Sequence, residues 1–253
     1  MNYKKEEAIS FFSNGHFLGC PANFDDVIID RRLNLLRKFP DFLNKEYNLV
    51  EIGCGNGASI FKISKEIKTA LGLDINNEHF PEIYKYKDEN NLNNCDFVVY
   101  NIEKDNSIKE KFDRLICFEV IEHLENEDNI SVFNDMLNAN GMIAISVPNK
   151  WWIFETHGAK LPLLPWNRVP FFSWLPKTIH EKFSNARIYT KNRIIKLLEK
   201  HNFEILSIEY ITALLDVFPK GKLKDFIVRF FFPSDTTIIP FKSTAIFIIA
   251  KKK

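Results

Sequence analysis

The stretch Val50-Glu51-Ile52-Gly53-Cys54-Gly55-Asn56-Gly57 decides the fold of this chain. It holds three of the chain's nine glycines and continues the apolar run that begins at Leu49. Glycine is unfavourable inside regular structure, so a cluster directly after a strand-like run marks a turn where the backbone takes positive φ or where a ligand comes into contact. The sequence therefore predicts a nucleotide-binding turn at the end of a strand.

The carboxylate of Glu51 bears on which nucleotide such a turn would bind. Gly53, Gly55 and Ala58 fit the permissive G-x-G-x-x-G/A pattern, and Asp74 follows about 20 residues later, so a NAD-dependent oxidoreductase is one alternative. A carboxylate beside a pyrophosphate would repel it, whereas it would attract a cation. S-adenosylmethionine carries a sulfonium and an ammonium group and no phosphate, and the sequence therefore favours this cofactor.

Three motifs, VEIGCGNG at 50–57, LGLD at 71–74 and EVIEHL at 119–124, resemble those of class I S-adenosylmethionine-dependent methyltransferases. Apolar runs of strand length alternate with segments of helical periodicity, which predicts an α/β fold with a largely parallel sheet. The resemblance implies a Rossmann-like, doubly wound, seven-stranded sheet with an antiparallel C-terminal hairpin. We place its strands at 49–52, 70–74, 96–100, 114–118, 142–147, 204–210 and 244–250.

Length and composition predict one domain that spans residues 1–253, with an N-terminal helical cover at 1–45. Within that cover, a helix that starts after Asp25 and Asp26 and ends at Pro40 is expected to close over the cofactor. The net charge of +1 gives no general field for nucleic acid. The four cysteines form no C-x-x-C pair, and we expect free thiols. Without a signal peptide or a spanning apolar run, we expect a cytoplasmic protein.

The resemblance also implies the residues that bind the cofactor. Asp74 would bind the ribose hydroxyls, the alternative being a helix N-cap. Asn101 would pair with the adenine edge and Ile102 would touch its ring; the alternative for Asn101 is a turn residue in solvent. The full set of expected cofactor contacts is Glu51, Gly53, Cys54, Gly55, Gly57, Asp74, Ile75, Asn101, Ile102 and Glu119.

The segment Glu119-Val120-Ile121-Glu122-His123-Leu124 follows the fourth strand, at the sheet edge where substrates bind in such folds. It resembles the corresponding segment of ubiquinone-biosynthesis O-methyltransferases and of small-RNA 2′-O-methyltransferases. The resemblance implies that Glu119, Glu122 and His123 bind a divalent cation such as Mg²⁺, which would lower the pKa of an acceptor hydroxyl. The alternative is a site without metal, in which His123 acts as general base with Glu122 beside it.

An aromatic and proline-rich segment at 148–189, after the fifth strand, contains all four tryptophans of the chain. Its proline content argues against regular helix there. We expect a lid over an apolar or aromatic acceptor, or otherwise an insertion that packs on the core. The run from 175 to 183 resembles the substrate side of the ubiquinone-type enzymes, which favours a small molecule over RNA. His180 would contact the acceptor as a catalytic residue, or else cap a helix.

Residues 219–232 combine an apolar stripe with lysines and an arginine. Such a segment either contacts a membrane surface or covers the sheet, and we favour the covering helix.

These observations predict an S-adenosylmethionine-dependent methyltransferase that methylates a small molecule, most consistently a hydroxyl of an apolar, aromatic or lipid-linked compound. Two alternatives stay open beside the oxidoreductase. The first is an RNA 2′-O-methyltransferase, which should show a basic groove and a further histidine, His157 or His180, at the metal site. The second is a non-catalytic S-adenosylmethionine-binding module.

Overall fold

The computed structural model of the chain describes residues 12–13, 16–17, 22–105, 107–155, 157–158, 170–215 and 221–253. The strands in these ranges are β1 Phe12–Ser13, β2 His16–Phe17, β3 Asn48–Ile52, β4 Thr69–Asp74, β5 Cys95–Val99, β6 Phe112–Phe118, β7 Leu137–Pro148, β8 Phe203–Thr212, β9 Thr236–Thr237 and β10 Ser243–Lys252. The α-helices are α1 Val27–Lys38, α2 Ala58–Ile63, α3 Phe80–Glu89, α4 Ser131–Met136, α5 Lys177–Phe183, α6 Lys191–Lys200 and α7 Lys222–Phe231.

The main sheet has the strand order β5-β4-β3-β6-β7-β10-β8-β9. The first five of these strands pair in parallel, whereas β10 lies antiparallel between β7 and β8. The predicted α/β sheet with an antiparallel C-terminal hairpin is thereby confirmed. It has eight strands instead of seven, because the two-residue β9 pairs with the edge of β8. Two residues are too few to give a period, so the sequence carried no signal for this strand.

Helices cover both faces of the sheet. Leu33 of α1, Ile60 of α2 and Ile83 of α3 join one hydrophobic cluster, which includes Leu49 of β3. The next residue of β3, Val50, faces the other cluster with side chains from α4 and α6. The alternation along β3 follows from the two-residue period of a strand. Because both faces are covered, ligands can reach the sheet only at its edges and at the ends of its strands.

Helix α1 confirms the helix predicted in the N-terminal cover. It begins after Asp26, and Pro40 follows two residues after its last residue. Buried Arg31 attaches it to the C-terminal part of the chain by donating from Nη1 to the carbonyl of Thr212 and from Nη2 to that of Phe232. The cover is not wholly helical, because β1 and β2 form a short antiparallel hairpin.

Other predictions had mixed outcomes. Within the segment 148–189, α5 and a 3₁₀ helix at Phe172–Trp174 are regular helices that the proline content had argued against. Trp166 lies outside the described residues. Cys54, Cys95 and Cys117 are free and buried, whereas Cys20 also lies outside the described residues.

None of the helices in the described ranges combines the length and the apolar character that crossing a membrane requires.

Candidate functional site

The glycine turn joins the C-terminal end of β3 to α2. Gly53, Gly55 and Gly57 have φ values of +73°, +51° and +74°. The amides of Gly53 and Cys54 both donate to the carbonyl of Leu73 in β4, at 2.7 and 3.1 Å. Positive φ is costly for residues with a Cβ, so the glycines are explained by backbone conformation as the sequence predicted.

A close contact with Val120 is a second reason for glycine at position 53. A Cβ on Gly53 would lie 2.2 Å from Cγ2 of Val120, within the segment that follows β6. The turn is therefore in contact with the segment 119–124, which also carries Glu122 and His123.

Asp74 ends β4 and faces the turn. Its Oδ2 accepts from the amide of Gly55 at 2.7 Å, and its Oδ1 accepts from the amide of Asn76 at 2.9 Å. The N-cap of the next helix is His79, so the helix-cap alternative for Asp74 is wrong. Burial raises the pKa of Asp74, and the two backbone hydrogen bonds act in the opposite direction. Ile75 beside it is 42% exposed, and a ligand on Asp74 could contact it.

The residues after β5 occupy a tight turn. Oδ1 of Asn101 accepts from the amide of Glu103 at 2.9 Å, which is the local role of a turn residue. Ile102 is buried in the hydrophobic core. Their expected contacts with adenine therefore remain predictions. For Cys54, a Cβ on Gly72 would meet its Sγ at 3.0 Å, so its thiol points into the core. Only the backbone of Cys54 is available to a cofactor.

Glu51 is a buried carboxyl group beside the turn. It is 2% exposed, and its Oε2 has no hydrogen-bond partner among the described residues. Burial raises its pKa to about 8, partly offset by a hydrogen bond from the Ser59 side chain; the charge of Asp74 adds to the increase. Without a ligand the group is therefore mainly protonated at neutral pH. A cation placed beside it would favour the carboxylate.

We expect the Glu51→Gln variant to lose part of the pH dependence of stability. Folded Glu51 keeps a proton that unfolded Glu51 releases above its ordinary pKa, so the wild type's free energy of unfolding falls as pH rises from about 5 to 8. This residue should contribute about 2 to 4 kcal/mol of that fall. Urea unfolding at several pH values measures it, with exposed Glu46→Gln as control. Equal slopes for Glu51→Gln and wild type would contradict the prediction.

Glu119 forms an ion pair with helix α1, a contact that the sequence did not predict. It follows β6 at φ +56°, an unfavourable conformation for a residue with a Cβ. Its Oε1 accepts from the hydroxyl of Ser146 at 2.8 Å and pairs with Nη2 of Arg32 at 3.0 Å. Arg32 belongs to α1, which therefore reaches the C-terminal end of β6; closure of this helix over the cofactor stays a prediction. No sequence pattern pointed to Arg32, because Arg32 and Glu119 are far apart in the chain and meet only in the folded protein.

A compact cluster of possible metal ligands consists of Glu122, His123 and His157, whose ligand atoms all lie within 4.8 Å of one another. Nε2 of His157 is 3.6 Å, and Nε2 of His123 is 4.0 Å, from Oε1 of Glu122. Both oxygens of buried Glu122 lack a hydrogen-bond partner among the described residues. Of the three ligands predicted from the sequence, Glu122 and His123 lie in this group, whereas Glu119 pairs with Arg32 and Ser146 and His157 takes its place; metal binding stays a prediction.

His180 lies in a second, fully buried pair. Its Nε2 is 2.6 Å from Oε2 of Glu155, and both side chains have no exposed surface. The other oxygen of Glu155 accepts from the amide of His157 at 3.0 Å. His180 sits inside α5, whose N-cap is Pro176, so it caps no helix. It is buried against Glu155 and Phe172, and its predicted contact with the acceptor stays a prediction.

Comparisons with known proteins identify the family of the chain. A model of the methyltransferase domain family matches residues 43–211. The ubiquinone biosynthesis O-methyltransferase of Rickettsia bellii (strain OSU 85-389) is 24% identical over 183 residues, which are 69% of this chain and 70% of that protein. That of Rickettsia typhi is 25% identical over 163 residues, covering 62% and 60%.

Solved structures share the fold. An S-adenosylmethionine-dependent methyltransferase from Mesorhizobium loti is 13% identical with a TM-score of 0.60, covering 88% of this chain and 100% of that one. Coclaurine N-methyltransferase, bound to N-methylheliamine and SAH, is 12% identical with a TM-score of 0.59, covering 94% and 76%. The (4+2)-cyclase SpnF is 14% identical with a TM-score of 0.60, covering 88% and 80%.

The cyclase shows that this fold alone does not determine a reaction. The family match covers well over half of the chain, including the glycine turn and the 119–124 segment. It decides between the two cofactors considered for the turn, in favour of S-adenosylmethionine over NAD. The chain belongs to the methyltransferase domain family and is an S-adenosylmethionine-dependent methyltransferase.

Proposed function

We propose that this enzyme methylates a hydroxyl group of an apolar, aromatic or lipid-linked small molecule. The observation that carries the proposal is the cluster of Glu122, His123 and His157 beside the glycine turn. Carboxylate and imidazole groups are the side chains that remove a proton from a hydroxyl, either as bases or as ligands of a cation. The similarity to ubiquinone biosynthesis O-methyltransferases supports an oxygen acceptor.

In this proposal the donor lies along the turn from Gly53 to Gly57, with its ribose on Asp74. Asp74 already accepts the amide of Gly55, so the carboxylate is held in place before the ligand arrives. Glu51 and Glu119 would supply negative charge near the amino-acid part and the sulfonium. Asn101 and Ile102 remain the proposed neighbours of adenine.

Methyl transfer would be one in-line displacement. The acceptor oxygen forms a bond to the methyl carbon while the carbon–sulfur bond breaks, and the sulfonium becomes the neutral thioether of S-adenosylhomocysteine. When no cation is bound, the hydroxyl proton would pass to an imidazole of the cluster. Burial lowers the pKa of His157, which keeps this ring neutral and able to accept a proton near pH 7. Alignment of the two reactants can supply roughly 7 to 11 kcal/mol of the barrier.

The cluster also fits a divalent cation. Glu122 offers two buried oxygens without a hydrogen-bond partner among the described residues, and two imidazoles lie within reach. Two nitrogens and one carboxylate suit Mn²⁺ or Zn²⁺ better than Mg²⁺, which prefers oxygen ligands. A cation held by Glu122, His123 and His157 would lower the pKa of an acceptor hydroxyl.

Glu155 and His180 would hold His157 of this cluster in place. Glu155 fixes the backbone of His157 and is itself held by His180, and neither side chain reaches solvent. The described part of the segment 148–189 therefore contains His157 of the cluster and the two residues, Glu155 and His180, that would hold it. Trp151 and Trp174, which are exposed and in edge contact at 6.3 Å, would remain available to an apolar acceptor.

An RNA 2′-O-methyltransferase is the second candidate, because His157 completes the cluster as that alternative requires. RNA binding would also need basic residues whose charge is free to pair with phosphates. Arg193 is paired with Glu127 at 2.9 Å and with Glu181 at 2.5 Å, so its charge is already compensated. We therefore rank a small molecule above RNA.

Calorimetric titration with S-adenosylhomocysteine, in chelator and then with Mg²⁺, Mn²⁺ or Zn²⁺, tests the donor and the cation. Turnover is then measured on phenols, quinol precursors, lipid-linked alcohols, sugars, amines and a short RNA. We expect donor binding in chelator, and turnover on a hydroxyl compound that Mn²⁺ or Zn²⁺ restores more fully than Mg²⁺. Turnover on amines alone would contradict the proposal, and turnover on RNA alone would establish the second candidate. Unchanged turnover in chelator would leave His123 and His157 as bases and remove the cation.

A further inference from the structure

Helix α7 exposes large apolar side chains. Leu223 is 73%, Phe226 54%, Phe230 62% and Phe231 56% exposed, and the rings of Phe226 and Phe230 lie 4.5 Å apart. Phe241, in the 3₁₀ helix Pro240–Lys242 between β9 and β10, is 52% exposed. We refer to Leu223, Phe226, Phe230, Phe231 and Phe241 as the α7 surface. Isolated exposed apolar residues are ordinary, but a group of four on one short helix marks an interaction site.

The same helix has a second apolar face, which is packed. Ile227, Val228 and Phe232 contact the cluster formed by Trp152, Ala213 and Leu215. This face of α7 therefore covers residues that follow β7 and β8, whereas the sequence favoured a helix that covers the sheet itself. Leu223, Phe226 and Phe230 follow the three- and four-residue spacing of one helical stripe, so they form a continuous face.

Positive charge surrounds the α7 surface. Lys222 and Arg229 are exposed on the helix, and Nζ of Lys242 donates to the carbonyl of Phe231 at 3.4 Å. The sequence of α7 contains one acid, Asp225, against three basic residues. The next acid along the chain, Asp235, is paired with Lys38 at 2.9 Å. Exposed aromatic residues bordered by basic ones are the composition of helices that lie in an anionic lipid interface.

We propose that the α7 surface docks onto an anionic lipid bilayer, with the helix lying in the plane of the interface. A second copy of the chain is a poorer occupant, because a two-fold interface would bring Lys222 and Arg229 of both copies together. Lipid headgroups of negative charge instead compensate these residues while the phenylalanines enter the boundary of the acyl region.

This position would place the bilayer on the acceptor side of the enzyme. The packed face of α7 contacts Trp152, and Trp152 is 5.8 Å from Phe154, ring to ring. Glu155 and His157 follow directly along the chain. Delivery of a lipid-linked acceptor along this route rests on the proposed function, whereas docking itself does not.

Vesicle flotation of the full chain tests the proposal, with phosphatidylcholine vesicles that contain or lack phosphatidylglycerol. We expect binding to the anionic vesicles and at least about tenfold weaker binding to the neutral ones. Phe226→Ser with Phe230→Ser, and separately Lys222→Glu with Arg229→Glu, should each lower binding to anionic vesicles at least about tenfold. All four side chains are exposed, so the variants should fold, and circular dichroism checks this.

Matched controls make the same chemical changes elsewhere. Lys65→Glu with Lys68→Glu reverses two exposed charges beside the start of β4, at the opposite end of the sheet, and Leu206→Ser removes an exposed apolar residue from β8. Both should bind like the wild type. Absence of wild-type binding to anionic vesicles, or equal loss in the controls, would overturn the proposal. A lipid-free dimer that the phenylalanine pair disperses would identify a second copy as the occupant instead. None of these variants should change the affinity for S-adenosylhomocysteine, which calorimetry measures. A failure of lipid docking can therefore be told apart from a failure of the proposed function.

Discussion

Replacing Asp74 by alanine is expected to weaken binding of S-adenosylhomocysteine by about 10² to 10³-fold, since hydrogen bonds from two ribose hydroxyls to a carboxylate contribute about 1.5 to 3 kcal/mol each. The structure adds a second reason for a large effect. Asp74 also accepts from the amide of Gly55, so its loss releases the turn on which the donor would lie. Isothermal calorimetry measures the dissociation constant directly.

Two further variants separate these contributions. Asp74→Asn keeps an oxygen for Gly55 but removes the charge, and we expect an intermediate loss of affinity. Asp96→Ala removes an exposed carboxylate from the neighbouring strand β5, where it accepts from the amide of Phe97 at 3.0 Å and lies 3.6 Å from Nζ of Lys87, and this variant should bind like the wild type. Unchanged affinity in a folded Asp74→Ala protein would show that the ribose is bound elsewhere.

Replacing Glu122 by glutamine is expected to lower kcat by about 10² to 10⁴-fold, the range of general acid–base catalysis, because the imidazoles that would accept the proton, or the cation, lose the carboxyl group beside them. Glutamine has nearly the shape of glutamate, but it is a poor base and a weaker ligand. Since Glu122 makes no hydrogen bond to the glycine turn and is proposed to act on the acceptor, affinity for S-adenosylhomocysteine should stay unchanged. The effect would therefore fall on turnover, measured with the best acceptor from the panel.

Cation binding gives this prediction a second readout. Calorimetric titration with Mn²⁺ and Zn²⁺ should show binding to the wild type that is lost in Glu122→Gln and in His157→Asn. The control is Glu125→Gln, an exposed residue three positions along the chain, which should retain turnover and cation binding. If Glu122→Gln turns over at the wild-type rate, this cluster has no part in the reaction.

The arrangement of the two histidines illustrates why sequence reasoning reached only part of the site. His123 could be placed because it belongs to a local motif next to a predicted strand, and local spacing survives folding. His157 and His180 are separated from that motif by strand β7 and by the segment after it. The fold of that segment decides which histidine lies beside Glu122. Glu155 binds His180 through one oxygen and the amide of His157 through the other, and the side chain of His157 is the one that lies beside Glu122.

For helix α7, the sequence predicted the helix but not which of its faces is buried. Its apolar spacing predicted an amphipathic helix correctly, but the period does not say which apolar stripe is covered. Two stripes are present, and the tertiary structure packs the one with Ile227 and Val228 while Phe226 and Phe230 remain exposed. Only the position of Trp152 and its neighbours decided which face was left to solvent.

The sequence by itself determined the α/β fold, the glycine turn and the placement of Asp74 and Glu122, because strand and helix periods, glycine conformation and adjacency in the chain are local properties. The tertiary structure alone decided that Arg32 holds Glu119, that His157 joins Glu122 and His123, and that α7 leaves an apolar face exposed. Each of these depends on contacts between residues far apart in the chain, which form only when the sheet brings the ends of its strands together.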